Sequence, residues 1–168
     1  MYKLFLFTVI LLSIQSLFAY ESEEKLKVAV IGKVPKFITW ENEEKEHFSI
    51  TVLNNQFGNT LNEKYGGKKI KDRDIKIRYV DNIEEIEDTD ILYIPSINSN
   101  KLSLIINKVA NKNILTISDI RGFADKGGII QINFVSQKLK LKINLDSANR
   151  ENLEIRSALL RISDVVKR

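Results

Sequence analysis

Two short apolar runs constrain this chain more than any other feature. Asp90 to Pro95 (DILYIP) and Ile114 to Ile117 lack polar alternation, as strands buried on both faces do. Between them Leu102, Ile105, Ile106 and Val109 recur at helical spacing within Ser99 to Ala110. A helix of that length between two strands suits a right-handed parallel crossover. Further strands are expected at Phe48 to Leu53 (FSITVL), stopped by Asn54-Asn55, and at Ile75 to Val80, where Ile75, Ile77 and Tyr79 share one face. Thr60 is placed to cap a short helix over 61 to 65 that ends at Gly66-Gly67. Gly127-Gly128 opens a run from Ile129 to Val135, and Ser136-Gln137-Lys138 turns into Leu139 to Leu145, a hairpin pattern. Leu159, Leu160, Ile162 and Val166 predict a closing helix over Arg156 to Val166. The expected fold is therefore α/β: a single domain with a mixed β-sheet, flanking helices, and a C-terminal β-hairpin followed by a closing helix.

Residues 24 to 40 stay open on pattern alone. Val28, Val30 and their alternating neighbours fit a strand that turns at Gly32, whereas Leu26, Val30, Val34, Phe37 and Ile38 fit one helical stripe that Pro35 would interrupt. Ahead of them, Met1-Tyr2-Lys3, the apolar Leu4 to Leu12 and Ala19 have the layout of a cleaved secretory signal peptide. Residues 1–19 are thus expected to be an address, and 20–168 one exported, periplasmic domain.

Composition narrows the chemistry. With Cys 0 and His 1, disulfides, Cys-ligated metals, thiol catalysis and His-rich metal sites are excluded. His47 lies in a charged approach to a strand, and no Gly-x-Ser-x-Gly elbow exists to make it part of a triad. The formal charge of +4 is spread along the chain rather than gathered into a nucleic-acid footprint. Val28 to Gly32 has one glycine where a dinucleotide fingerprint needs three. The acidic stretch Asp81 to Asp90 lacks the spacing of a calcium loop and is expected to be a solvated connector. The basic stretch Lys68 to Arg78 is expected to be a solvated face. No catalytic residue, metal or cofactor is assigned. Ser118 to Gly128 is the most informative loop: Gly122, Gly127 and Gly128 permit unusual backbone, and Asp119 can cap amides. It either shapes a turn that seats Phe123 in the core or lines a small-ligand cleft to which Arg121 adds charge.

Taken in order, ILTISDIRGFADKGGIIQINFV (114–135), LKLKINLDSA (139–148) and IRSALLRI (155–162) resemble the YfiR family of secreted bacterial proteins. Lys36 to Trp40 is similar to that family's first helix, which ends at a Trp; Phe57-Gly58 is similar to its first turn, and Asp90 to Ile94 to its middle strand. The resemblance favours a helix over 24 to 40 with Pro35 as a local defect. It marks Trp40, Gly58, Asp119, Arg121, Gly122, Phe123, Gly127, Gly128, Asn144 and Leu160 as family-motif positions and a ligand or partner loop. It implies a non-enzymatic periplasmic protein that represses a membrane-bound diguanylate cyclase through its periplasmic sensor region, lowering cyclic-di-GMP. An outer-membrane-associated sequestering protein and a homodimer are further implied partners. The alternative is a periplasmic small-molecule sensor serving another receptor, such as a histidine kinase. Relatives often carry Cys-His before the middle strand; here Thr89-Asp90 stands there, so redox control does not carry over.

Overall fold

The computed structural model describes residues 23–41 and 45–166; the expected signal segment, 1–19, lies outside the described residues. Among the described residues ten strands form two sheets. The larger has the order β10-β8-β7-β6-β5-β2-β4-β3, and the smaller pairs β1 with β9. In chain order these are β1 (Ile38–Trp40), β2 (His47–Leu53), β3 (Lys69–Ile70), β4 (Arg73–Val80), β5 (Ile91–Ile94), β6 (Leu115–Ser118), β7 (Ile130–Val135), β8 (Lys138–Asn144), β9 (Leu153–Ile155) and β10 (Asp164–Val166). The helices are α1 (23–33), α2 (Thr60–Tyr65), α3 (Leu102–Val109), α4 (Leu145–Arg150) and α5 (Ser157–Leu160).

The sheet is mixed, as expected. β4, β2, β5, β6 and β7 run parallel, β8 returns antiparallel to β7, and β3 returns antiparallel to β4. β5 and β6 are the parallel pair read from the two apolar runs, and α3 joins them. Every residue of both strands is buried. Their alternating side chains feed two cores. Ile91 and Tyr93 join Phe48, Ile50, Leu115 and Ile117 under α1, while Leu92 and Ile94 join Leu102, Ile105 and Val109 of α3 on the opposite face. The expected hairpin forms, with register Ile130↔Ile143, Ile132↔Leu141 and Phe134↔Leu139.

Residues 23–33 are helical, but the helix stops before Pro35. Pro35 sits at the start of a 3-10 turn, Val34–Phe37, where its missing N–H is no loss. Ile38–Trp40 is then a strand paired with β9, so Lys36 to Trp40 does not complete the helix. A buried Gly32 brings α1 against α2: any Cβ there would overlap the Tyr65 ring. Thr60 is not the α2 cap; Asn59 holds that position, and the Thr60 hydroxyl donates to Glu24 Oε1 at 2.8 Å. The tail forms a closing helix over Ser157–Leu160 only. Asp164–Val166 then adds to β8 as a parallel edge strand, because Ile162 and Val165 find no apolar surface and stay exposed.

One carboxylate locks the two halves of the chain. Glu151 accepts the backbone N–H groups of Asn111, Lys112 and Asn113 at 2.8, 2.9 and 3.1 Å, while Asn111 and Asn113 hold positive φ. Glu151→Ala leaves these amides to water, and the expected loss is about 1–2 kcal/mol, read as a lower urea midpoint with unchanged slope.

Candidate functional site

In an open α/β sheet, ligands meet the carboxyl ends of the strands where the order reverses. Here the reversal falls at β2, which has β4 on one side and β5 on the other. The loop after β2 is set by Asn55, whose side chain accepts the Phe57 N–H and donates to the Gly58 carbonyl, both at 2.9 Å; Gly58 adopts φ +51°. Gln56 Nε2 donates to the Tyr93 hydroxyl at 2.8 Å, and the Phe57 and Tyr93 rings lie 4.9 Å apart. Asp119 enters from the end of β6.

The first turn of α1 closes this crevice. Lys27 Nζ donates to Asp119 Oδ2 at 2.6 Å and lies 6.0 Å from the Phe134 ring centroid. Both charged side chains are largely buried, 14% and 9% exposed, and Asp119 Oδ1 has no partner among the described residues. What remains open between Glu23, Glu24, Lys27, Gln56 and Phe57 is about 10 Å³, room for about one water.

The loop from Ser118 to Gly128 is tied down throughout. Ser118 Oγ donates to the Ile94 carbonyl at 2.6 Å and accepts the Ile120 N–H at 3.0 Å. Gln131 Oε1 accepts the Ala124 N–H, and Asn144 Nδ2 donates to the Ala124 carbonyl at 2.6 Å while its Oδ1 caps α4 through the Ser147 N–H. Asp125 pairs with Lys142. Phe123 is fully buried in the α3-side core, and a Cβ on Gly128 would overlap its ring. Gly122 and Gly127 take φ +77° and +99°. Arg121 alone of the marked loop residues is exposed.

The remaining marked residues lie elsewhere. Trp40 is 3% exposed and packs edge-on to Phe48 at 5.5 Å, with Lys71 Nζ at 5.1 Å from its ring. Leu160 lines an open groove of about 440 Å³ with Leu145, Leu153 and Ile155. The structure thus ties Asp119 to Lys27 at the crevice, leaves Gly58 exposed in the turn after β2, gathers Asn144 with the loop, and leaves Trp40 and Leu160 on the β1–β9 side. Sequence reasoning missed Lys27, Gln56 and Tyr93. It also placed Asp90 and Arg73 in solvated charge runs, whereas Asp90 is 1% exposed, accepts the Ser49 N–H at 2.7 Å and faces Arg73 Nη1 at 3.4 Å. His47 is partly exposed, with Glu46 at 3.8 Å. Among the described residues no group of three His, Asp or Glu is placed to hold a metal.

Lys27→Met leaves Asp119 buried without its cation, with an expected loss of about 3 kcal/mol by urea unfolding. Adding Asp119→Leu returns most of it, and a double variant no more stable than Lys27→Met would contradict the pairing. Gly128→Ala displaces Phe123, with an expected loss of about 2 kcal/mol by the same measurement.

A protein-family model described as YfiR/HmsC-like matches residues 24–164. No curated protein matches the sequence. Among solved structures, a conserved domain protein from Vibrio cholerae O1 biovar eltor is similar with a TM-score of 0.60 at 12% identity, over 86% of this chain and 60% of that one. The ABC domain in complex with L-Trp from Streptococcus pneumoniae is similar with a TM-score of 0.57 at 11% identity, over 85% of this chain and 60% of that one. The chain therefore spans about 60% of the length of either structure, and at these identities the likeness is one of fold.

Proposed function

Because the chain belongs to the YfiR/HmsC-like family, we propose that it is a non-enzymatic periplasmic regulator that inhibits a membrane-bound diguanylate cyclase by binding its periplasmic sensor region, so lowering cyclic-di-GMP. The family match over nearly all of residues 20–168 carries this reading. The site geometry accords with it: Lys27, Gln56 and Phe57 narrow the crevice at the switch point to about 10 Å³. Repression then needs differential affinity. To move a cyclase from almost wholly active to almost wholly inactive, the regulator must bind the inactive form about 10⁴-fold more tightly. An outer-membrane-associated partner that competes for the free regulator would release the cyclase by mass action.

The alternative, a small-molecule sensor for another receptor, takes its support from the similarly folded Streptococcus pneumoniae domain that holds L-Trp. In this chain it requires the first turn of α1 to move, since about 10 Å³ admits no such ligand.

Deletion of the gene is expected to raise cellular cyclic-di-GMP several-fold, and the full gene to restore it, whereas a copy lacking residues 1–19 does not. Levels that stay flat on deletion under several growth conditions would overturn repression. His47→Ala is expected to repress as well as the parent.

A further inference from the structure

From Ile91 to Ser118 the chain carries no Asp or Glu, but it carries Lys101, Lys108 and Lys112. Residues 25–40 and 126–145 also lack Asp and Glu, but this run is the longest of its kind in the sequence. It folds as β5, a 3-10 segment at Ser96–Lys101, α3 and β6. The two strands are buried, so the stretch meets solvent through the helical layer and the loop 110–113 that follows it. Its inner residues, Leu102, Ile105 and Val109, fill the core. Its outer side has an unusual content. Ile97 is 77% exposed and Leu104 58%, two of the most exposed large aliphatic side chains among the described residues. Lys101, Leu104 and Lys108 recur every three or four residues, which sets them along one side of α3, and Ile97 stands exposed on the 3-10 segment before it. Between them stand short polar side chains, among them Ser99, Ser103 and Asn107, and no carboxylate.

We infer that the outer side of α3 and its preceding 3-10 turn is a docking surface for an anionic lipid bilayer, with Ile97 and Leu104 entering the headgroup boundary and Lys101 and Lys108 meeting lipid phosphates. Aliphatic anchors interleaved with lysines are the chemistry of interfacial helices, because lysine stems follow the apolar side chains down while their ammonium groups stay at headgroup level. Charge complementarity selects the occupant: a carboxylate between Lys101 and Lys108 would meet phosphates of like sign, and the sequence places none there; the Glu151 carboxylate lies beyond the helix, on the Asn111, Lys112 and Asn113 amides. The acidic connector on the same side of the sheet limits the contact to a stripe. Its Glu87 is engaged by Arg78, and its Glu85 accepts from Asn82. The groove beside Leu160 and the crevice under α1 lie with the core on the other face. A chain lying on a membrane through α3 therefore keeps those surfaces turned toward a protein partner.

The test is co-sedimentation of the chain without residues 1–19 with vesicles of phosphatidylethanolamine and phosphatidylglycerol, against vesicles of phosphatidylcholine alone. Binding to the anionic vesicles is expected to weaken with added salt. It is expected to fall at least about tenfold in Lys101→Glu/Lys108→Glu and comparably in Ile97→Ser/Leu104→Ser. All four positions face solvent or are half-exposed, and an unchanged urea midpoint confirms that each variant is folded. No binding to anionic vesicles, or equal binding by both variants, overturns the inference. So does loss of cyclic-di-GMP control in Lys101→Glu/Lys108→Glu without vesicle binding by the parent, which would assign the stripe to an acidic protein instead. None of these outcomes bears on whether the chain represses a cyclase, which deletion and restoration of the gene test separately.

Discussion

Parallel strands have to be covered on both faces, and this requirement organises the molecule. β5 and β6 leave no residue exposed, and β2 is buried from Ile50 onward. Each strand therefore sends alternate side chains into two cores, and the chain must supply a layer for each. α3 covers one. α1, Leu61 of α2, the β1–β9 pair and Leu159 of α5 cover the other. The threonines left inside are satisfied locally: Thr51 donates to Thr89, Thr89 reaches the Ser49 and Ile91 carbonyls, and Thr116 accepts the Ile129 N–H. A sheet so enclosed forms its interactions with other molecules through the covering layers.

The same requirement explains the closed crevice. Covering the sheet at its switch point brings the first turn of α1 over the carboxyl ends of the strands, and Lys27 there meets Asp119 across 92 residues of sequence. The loop that carries Asp119 is held by the Ser118, Gln131 and Asn144 side chains and is seated by Phe123 against Gly128. Of the two roles read for this loop from sequence, the structural one accounts for every one of these contacts. Among the described residues, the exposed surface includes Arg121, the Leu160 groove and the outer side of α3.

Much of this was legible in the sequence, for physical reasons. Fully buried strands show as unbroken apolar runs, so β2, β5 and β6 and the crossover helix were readable, and period-two alternation marked β4 and the β7–β8 hairpin. What failed was decided by tertiary contact. The stripe over 24 to 40 could not show that Pro35 would end the helix in a 3-10 turn and that Ile38–Trp40 would pair with β9, far along the chain. The spacing over 156 to 166 is helical, yet no apolar surface receives Ile162, and pairing with β8 takes the chain instead. Arg73 and Asp90 sat inside runs of like charge, and runs conceal which member turns inward. Lys27 and Asp119 carried no mutual signal, and local periodicity gives no information about a partner so distant.

The central claim is that this domain acts by binding a protein, and titration calorimetry tests it most directly. The purified chain without residues 1–19 would be titrated into the purified periplasmic region of a membrane diguanylate cyclase from the same bacterium. A saturable complex with a dissociation constant of about 1 μM or tighter is the result predicted. The absence of any saturable heat at about 100-fold higher concentrations, with both proteins folded, would contradict it.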